Sequence, residues 1–95
     1  MEQAAQQRFY FVVHGTVQGV GFRYFTRSQA RHHGVTGWCR NTNDNTVEGE
    51  AQADEGKLAQ FFKELSIGPS HAKVDKIDKQ EREVERGENS FSIRD

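Results

Sequence analysis

The stretch His14-Gly15-Thr16-Val17-Gln18-Gly19-Val20-Gly21-Phe22-Arg23 constrains the chain most, because it joins an apolar run to a helix-like run through a glycine-rich turn. Ahead of it, Phe9-Tyr10-Phe11-Val12-Val13 is aromatic and β-branched and is apolar on both faces, which predicts a central strand. Behind it, residues 22–33 read as a helix ending before Gly34, with Phe22, Phe25, Thr26, Gln29 and Ala30 along one stripe. Gly19 and Gly21 carry no Cβ to keep a ligand off the main chain and reach backbone angles that cost other residues energy. Amides of the first helical turn lack intrahelical acceptors and can converge on one oxyanion, with the helix dipole in their favour. Arg23 adds a planar, permanently charged fork that suits two oxygens of a phosphate or carboxylate. No Lys-Ser or Lys-Thr follows Gly21, so this is not a Walker A loop. Tyr24 stands where a dinucleotide fingerprint needs its third glycine. On these residues alone, a small-anion site and a purely structural tight turn are equally good readings.

Residues 35–42 and 46–53 form the strongest hairpin in the sequence, turning through Asn43-Asp44-Asn45. Val47, Gly49, Ala51 and Ala53 alternate with Thr46, Glu48, Glu50 and Gln52, which predicts one buried and one wet face, with small residues admitting a helix. Residues 57–65 carry Leu58, Phe61, Phe62 and Leu65 at helical spacing, Asp54 is the candidate N-cap, and Gly68-Pro69 ends the element. Residues 72–78 and 91–94 are the last strand candidates, and the charged run over residues 79–88 reads as a solvated loop or extension. The order strand, helix, strand, strand, helix, strand, with a short terminal strand, predicts an α+β, ferredoxin-like split β-α-β sandwich. It would be an antiparallel sheet with two helices on one face and the first and third strands in the middle.

Ninety-five residues suffice for one small domain, expected over residues 8–95 behind a flexible leader at residues 1–7. A formal net charge of -1 with mixed signs offers no basic field for nucleic acid, so local positive charge must select any anion. Cys39 is the only cysteine, which excludes an internal disulfide and a cysteine zinc cluster and favours a reducing compartment. No long apolar run resembles a signal peptide or membrane span, so a cytoplasmic monomer without membrane association is expected. Neither an HExxH-type metal motif nor a paired-carboxylate pattern for magnesium is present, and the expected site holds neither metal nor cofactor.

Three segments carry a family resemblance. Gly15-Thr16-Val17-Gln18-Gly19-Val20-Gly21-Phe22-Arg23 resembles the acylphosphatase signature G-x-V-Q-G-V-x-F-R. The segment from Gly34-Val35-Thr36-Gly37-Trp38-Cys39-Arg40-Asn41 through the turn to Val47-Glu48-Gly49 is similar to the family's second signature, with Asp44-Asn45 where the family usually shows Asp-Gly. Asn89-Ser90-Phe91-Ser92-Ile93-Arg94 is similar to its carboxyl end, so the resemblance runs from about Arg8 to Arg94. It implies the same sandwich and metal-independent hydrolysis of acyl phosphates to carboxylate and inorganic phosphate, the latter also an inhibitor.

Under that reading the substrate-binding residues are Gln18, Gly19, Val20, Gly21, Phe22 and Arg23, and the catalytic residues are Arg23 and Asn41. A strand-end asparagine is more often a turn former; the match to the second signature favours a role for Asn41 in positioning the attacking water. A carboxylate leaving group, with a pKa of about 4, departs without protonation, which suits a site lacking a strong general acid. His14 is expected in a strand or surface role, and Cys39 in a structural one, since no C-x5-R phosphatase loop is present. The alternative is a non-catalytic regulatory domain that binds an anion through the same cradle.

Overall fold

The computed structural model describes residues 5–95. Its elements are β1 (Gln6–Thr16), α1 (Phe22–His33), β2 (Thr36–Asn41), β3 (Val47–Asp54), α2 (Glu55–Ile67), β4 (Lys73–Arg82) and β5 (Phe91–Ile93). The sheet runs β4-β1-β3-β2-β5, so β1 and β3 are central as expected. The first four strands pair antiparallel, whereas β5 adds to β2 in parallel and makes the sheet mixed.

One face of the sheet carries the core. Phe11, Val13, Val47, Ala51 and Ala53 point into it, and α2 presents Leu58, Phe61, Phe62 and Leu65 at the expected spacing. Phe11 lies opposite Gly49 in the β1–β3 register, and a Cβ at Gly49 would come within 2.9 Å of the Phe11 ring. The small residues of β3 therefore make room for aromatic side chains: Phe11 meets Phe61 and Phe62 edge-on at centroid distances of 6.1 and 5.6 Å. α1 buries Phe22, Thr26 and Ala30, with Phe25 and Gln29 half-buried along the same stripe. Asp54 caps α2 as expected, its side chain accepting from the Lys57 amide at 2.9 Å.

The structure departs from the sequence reading at strand ends. β1 begins at Gln6, inside the stretch expected as a leader; residues 1–4 of that stretch lie outside the described residues. β4 continues to Arg82, through four residues of the charged run expected to be loop, because β1 supplies it with ladder partners as far as the Arg8–Arg82 pair. Backbone pairing holds this edge strand where hydrophobic alternation has ended.

The opposite face is polar. Because β4 and β5 are the two edges, the connection over residues 83–90 spans that face from one edge to the other. Two anchors hold it. The Gln52 side chain accepts from the Glu85 amide at 2.7 Å and donates to its carbonyl at 2.9 Å. The Arg8 guanidinium, 3% exposed, bonds both oxygens of Glu88 at 2.8 and 3.2 Å and Glu50 at 2.5 Å. Burial works against the charge on Arg8, yet Glu88 and Glu50 outweigh it and raise its pKa.

Candidate active site

The end of β1 is turned by a bulge. Its register with β4 shifts between His14 and Gly15, and Gly15 has φ 131°, where a Cβ would stand 2.0 Å from the Lys73 carbonyl oxygen. Beyond it the loop is anchored by two side chains, with Val17 fully buried and Val20 packed against the core. Gly19 and Gly21, with φ of 73° and 74°, are exposed between and after these anchors. A Cβ at either glycine would meet nothing within 4 Å. The glycines therefore answer a backbone conformation rather than crowding, and they leave the main chain open to solvent.

Gly21 is also the N-cap of α1, with no side-chain cap and no acidic residue in the first turn. The first intrahelical bond runs from the Phe25 amide to the Gly21 carbonyl at 3.0 Å, leaving the amides of Phe22, Arg23 and Tyr24 without intrahelical acceptors. An anion is favoured at such an end, and the charges in the last turn, Arg31, His32 and His33, suit the opposite pole. Arg23 is half-buried in the first turn and forms no salt bridge among the described residues.

β2 brings its C-terminal end to the same place. The Cys39 thiol lies 3.8 Å from the Arg23 carbonyl, and two residues on, Asn41 closes β2 opposite Val47. The Asn41 Oδ1 atom is buried and has no hydrogen-bond partner among the described residues. The turn beyond it is closed around Thr42: its amide donates to the Thr46 carbonyl at 3.0 Å, its hydroxyl meets the Thr46 hydroxyl at 2.7 Å and accepts from the Asp44 and Thr46 amides. Asn45 takes φ 64°, the positive value its amide side chain tolerates.

Gln18 joins the two halves. Its Nε2 donates to the carbonyls of Thr42 and Thr46, each at 2.9 Å. The residues expected to form the site thus come together at one end of the sheet: the loop over residues 18–21, Phe22 and Arg23 at the start of α1, and Asn41 on β2. The Gln18 side-chain amide, however, faces the hairpin turn. His14 stands apart on the polar face, paired with Asp78 at 2.9 Å. Burial pushes the Cys39 thiol from 9.0 up to about 12, against the opposing charges of Arg23 and Arg27. It is therefore a protonated core group. Sequence reasoning missed the Thr42 and Thr46 lock, for which two threonines flanking Asn43-Asp44-Asn45 were the available signal. Among the described residues no cluster of His, Cys, Asp and Glu could hold a metal ion, and no helix is long and apolar enough to cross a membrane.

These features define an α+β domain of the ferredoxin-like class with an exposed glycine loop leading into a helix N-terminus, an arginine and an asparagine at one end of its sheet. The acylphosphatase family profile matches residues 9–93. An acylphosphatase of Chlorobaculum tepidum is 41% identical over 88 residues, covering 93% of this chain and 96% of the relative. Among solved structures, an acylphosphatase from Bacillus subtilis superposes with a TM-score of 0.87 at 36% identity, covering 92% of this chain and 97% of that one. One from Coxiella burnetii superposes with a TM-score of 0.90 at 30% identity, covering 99% and 100%. The chain belongs to the acylphosphatase family.

Proposed function

We propose that this chain hydrolyses acyl phosphates to a carboxylate and inorganic phosphate without a divalent metal. Family membership supports the reaction class. The backbone amides of Gln18, Gly19, Val20, Gly21 and Phe22 and the Arg23 fork bind the phosphoryl oxygens and stabilise the charge they carry in the transition state. Asn41 accepts a hydrogen bond from the attacking water and holds it in line with phosphorus and the leaving oxygen. The water oxygen bonds to phosphorus as the bond from phosphorus to the acyl oxygen breaks. The carboxylate leaves with the electron pair, and the water's protons pass to phosphate and solvent. A leaving group with a pKa of about 4 needs no general acid.

The observation that carries this reading is the buried Asn41 Oδ1, which has no hydrogen-bond partner among the described residues and is an acceptor that a phosphate-only site has no use for. Chelator-treated protein is expected to hydrolyse benzoyl phosphate, to act far more slowly on an alkyl phosphate, and to be inhibited competitively by inorganic phosphate. Strict metal dependence or equal turnover of both substrates would overturn the mechanism. Phosphate binding without turnover would instead favour a regulatory anion-binding domain.

A further inference from the structure

We infer that Gln18 is a positioning residue, whose side-chain amide fixes the Asn41 end of β2 against the glycine loop and acts on the reaction through Asn41 without touching phosphate. The inference rests on the role proposed for Asn41. A primary amide has two N–H donors, and both on Gln18 are spent, one on the Thr42 carbonyl and one on the Thr46 carbonyl, each at 2.9 Å. Since both partners are carbonyl oxygens, only the nitrogen end of the amide can face them. That leaves its oxygen, an acceptor, which offers an anion nothing.

The partners decide what the clamp controls. Thr42 directly follows Asn41, and Thr46 closes the turn onto Thr42 through backbone and hydroxyl bonds. Those bonds close the turn on itself, so one residue gripping both of its carbonyls sets where the whole unit stands relative to the loop. The main chain of Gln18 is held in turn, between buried Val17 and core-packed Val20. The phosphoryl-binding amides and the water-positioning oxygen are thus referenced to each other through one side chain. A displacement of about 1 Å between such groups is enough to cost roughly 100-fold in rate.

The test compares Gln18→Met, Gln18→Glu, Asn41→Ala and the double variant Gln18→Met/Asn41→Ala on benzoyl phosphate, with inorganic phosphate as competitive inhibitor. Gln18→Met is expected to lose about 10- to 100-fold in kcat, while KM and phosphate inhibition stay within roughly 3-fold. The double variant should be no slower than Asn41→Ala, because a clamp has nothing to position once the amide is gone. Gln18→Glu opposes a carboxylate to two carbonyls at neutral pH, and its rate relative to wild type should recover as acid protonates it and restores one donor. Phosphate inhibition weakening in step with kcat/KM would make the side chain a phosphate ligand and overturn the inference, as would additive losses or an unchanged kcat. Should Gln18→Met fail to fold, the pH-dependent recovery of Gln18→Glu and its combination with Asn41→Ala decide the same question. Wild-type turnover by Asn41→Ala would sink the reading of Asn41 itself, whereas a slow Asn41→Ala beside a fast Gln18→Met would sink only the clamp.

Discussion

Truncating Asn41 to alanine is expected to cost rate far more than stability. Among the described residues Asn41 Oδ1 accepts no hydrogen bond, so its removal breaks none that holds the fold. What is lost is the contacts of a half-buried side chain, on the order of 1 kcal/mol. The folded state of Asn41→Ala should therefore stay within about 1 kcal/mol of wild type. The rate behaves otherwise. Losing the group that holds water in line should reduce kcat by roughly 2 to 4 orders of magnitude, or about 3 to 5 kcal/mol of barrier. Urea unfolding at neutral pH with an unchanged m-value measures the first quantity and initial rates the second. Isothermal titration with inorganic phosphate on the same sample should show affinity much less affected than kcat. Destabilisation beyond about 2 kcal/mol would mean that Oδ1 serves the fold, and the argument from an acceptor without a protein partner would be refuted.

Arg23→Ala should lose both phosphate affinity and kcat, and Arg23→Lys should restore little because a point charge cannot reproduce the planar fork; near-wild-type hydrolysis by folded Arg23→Ala would sink the assignment. Arg8→Ala should destabilise by about 2 to 4 kcal/mol, since it leaves Glu50 and Glu88 facing each other; their partial exposure, 24% and 18%, keeps the loss below that of a fully buried pair, and a urea midpoint shift worth less than about 0.5 kcal/mol would refute it. The Cys39 pKa is raised on folding, so its contribution is fully present below 9.0 and is lost as pH rises toward about 12. Stability relative to Cys39→Ala should thus fall by about 1.4 kcal/mol per pH unit in that window, and a flat difference would contradict the sign.

What could be seen in the sequence was local. α1 was delimited from residues alone because Gly21 and Gly34 both adopt left-handed backbone angles at its ends, a demand that few other residues meet. α2 was legible in its spacing of Leu58, Phe61, Phe62 and Leu65, and the hairpin in the alternation along β3. The grouping of the loop, Arg23 and Asn41 was readable only through the paired signatures, since Asn41 alone looks like any strand-end turn former. The mixed character of the sheet was not readable, because three residues of β5 carry no directional signal.

The remaining features escaped because their partners are distant in the chain. Arg8 looks like a surface charge in its neighbourhood, yet the atoms that permit its burial come from Glu50, Gln52 and Glu88, 42 to 80 positions away. Gln52 broke the expected alternation for the same reason: it is 2% exposed on the polar face, because the connection between β4 and β5 covers it. That connection must cross the sheet once β4 and β5 occupy opposite edges, so its path follows from strand order and not from its own charged sequence. The same logic separates stability from chemistry in this molecule. The helix face is closed by apolar side chains and the other face by an ionic strap, while the loop and turn that meet at Gln18 are joined by hydrogen bonds at the sheet's end. Under the proposed function, substitutions in that end can therefore change how water and phosphate are held without opening the core.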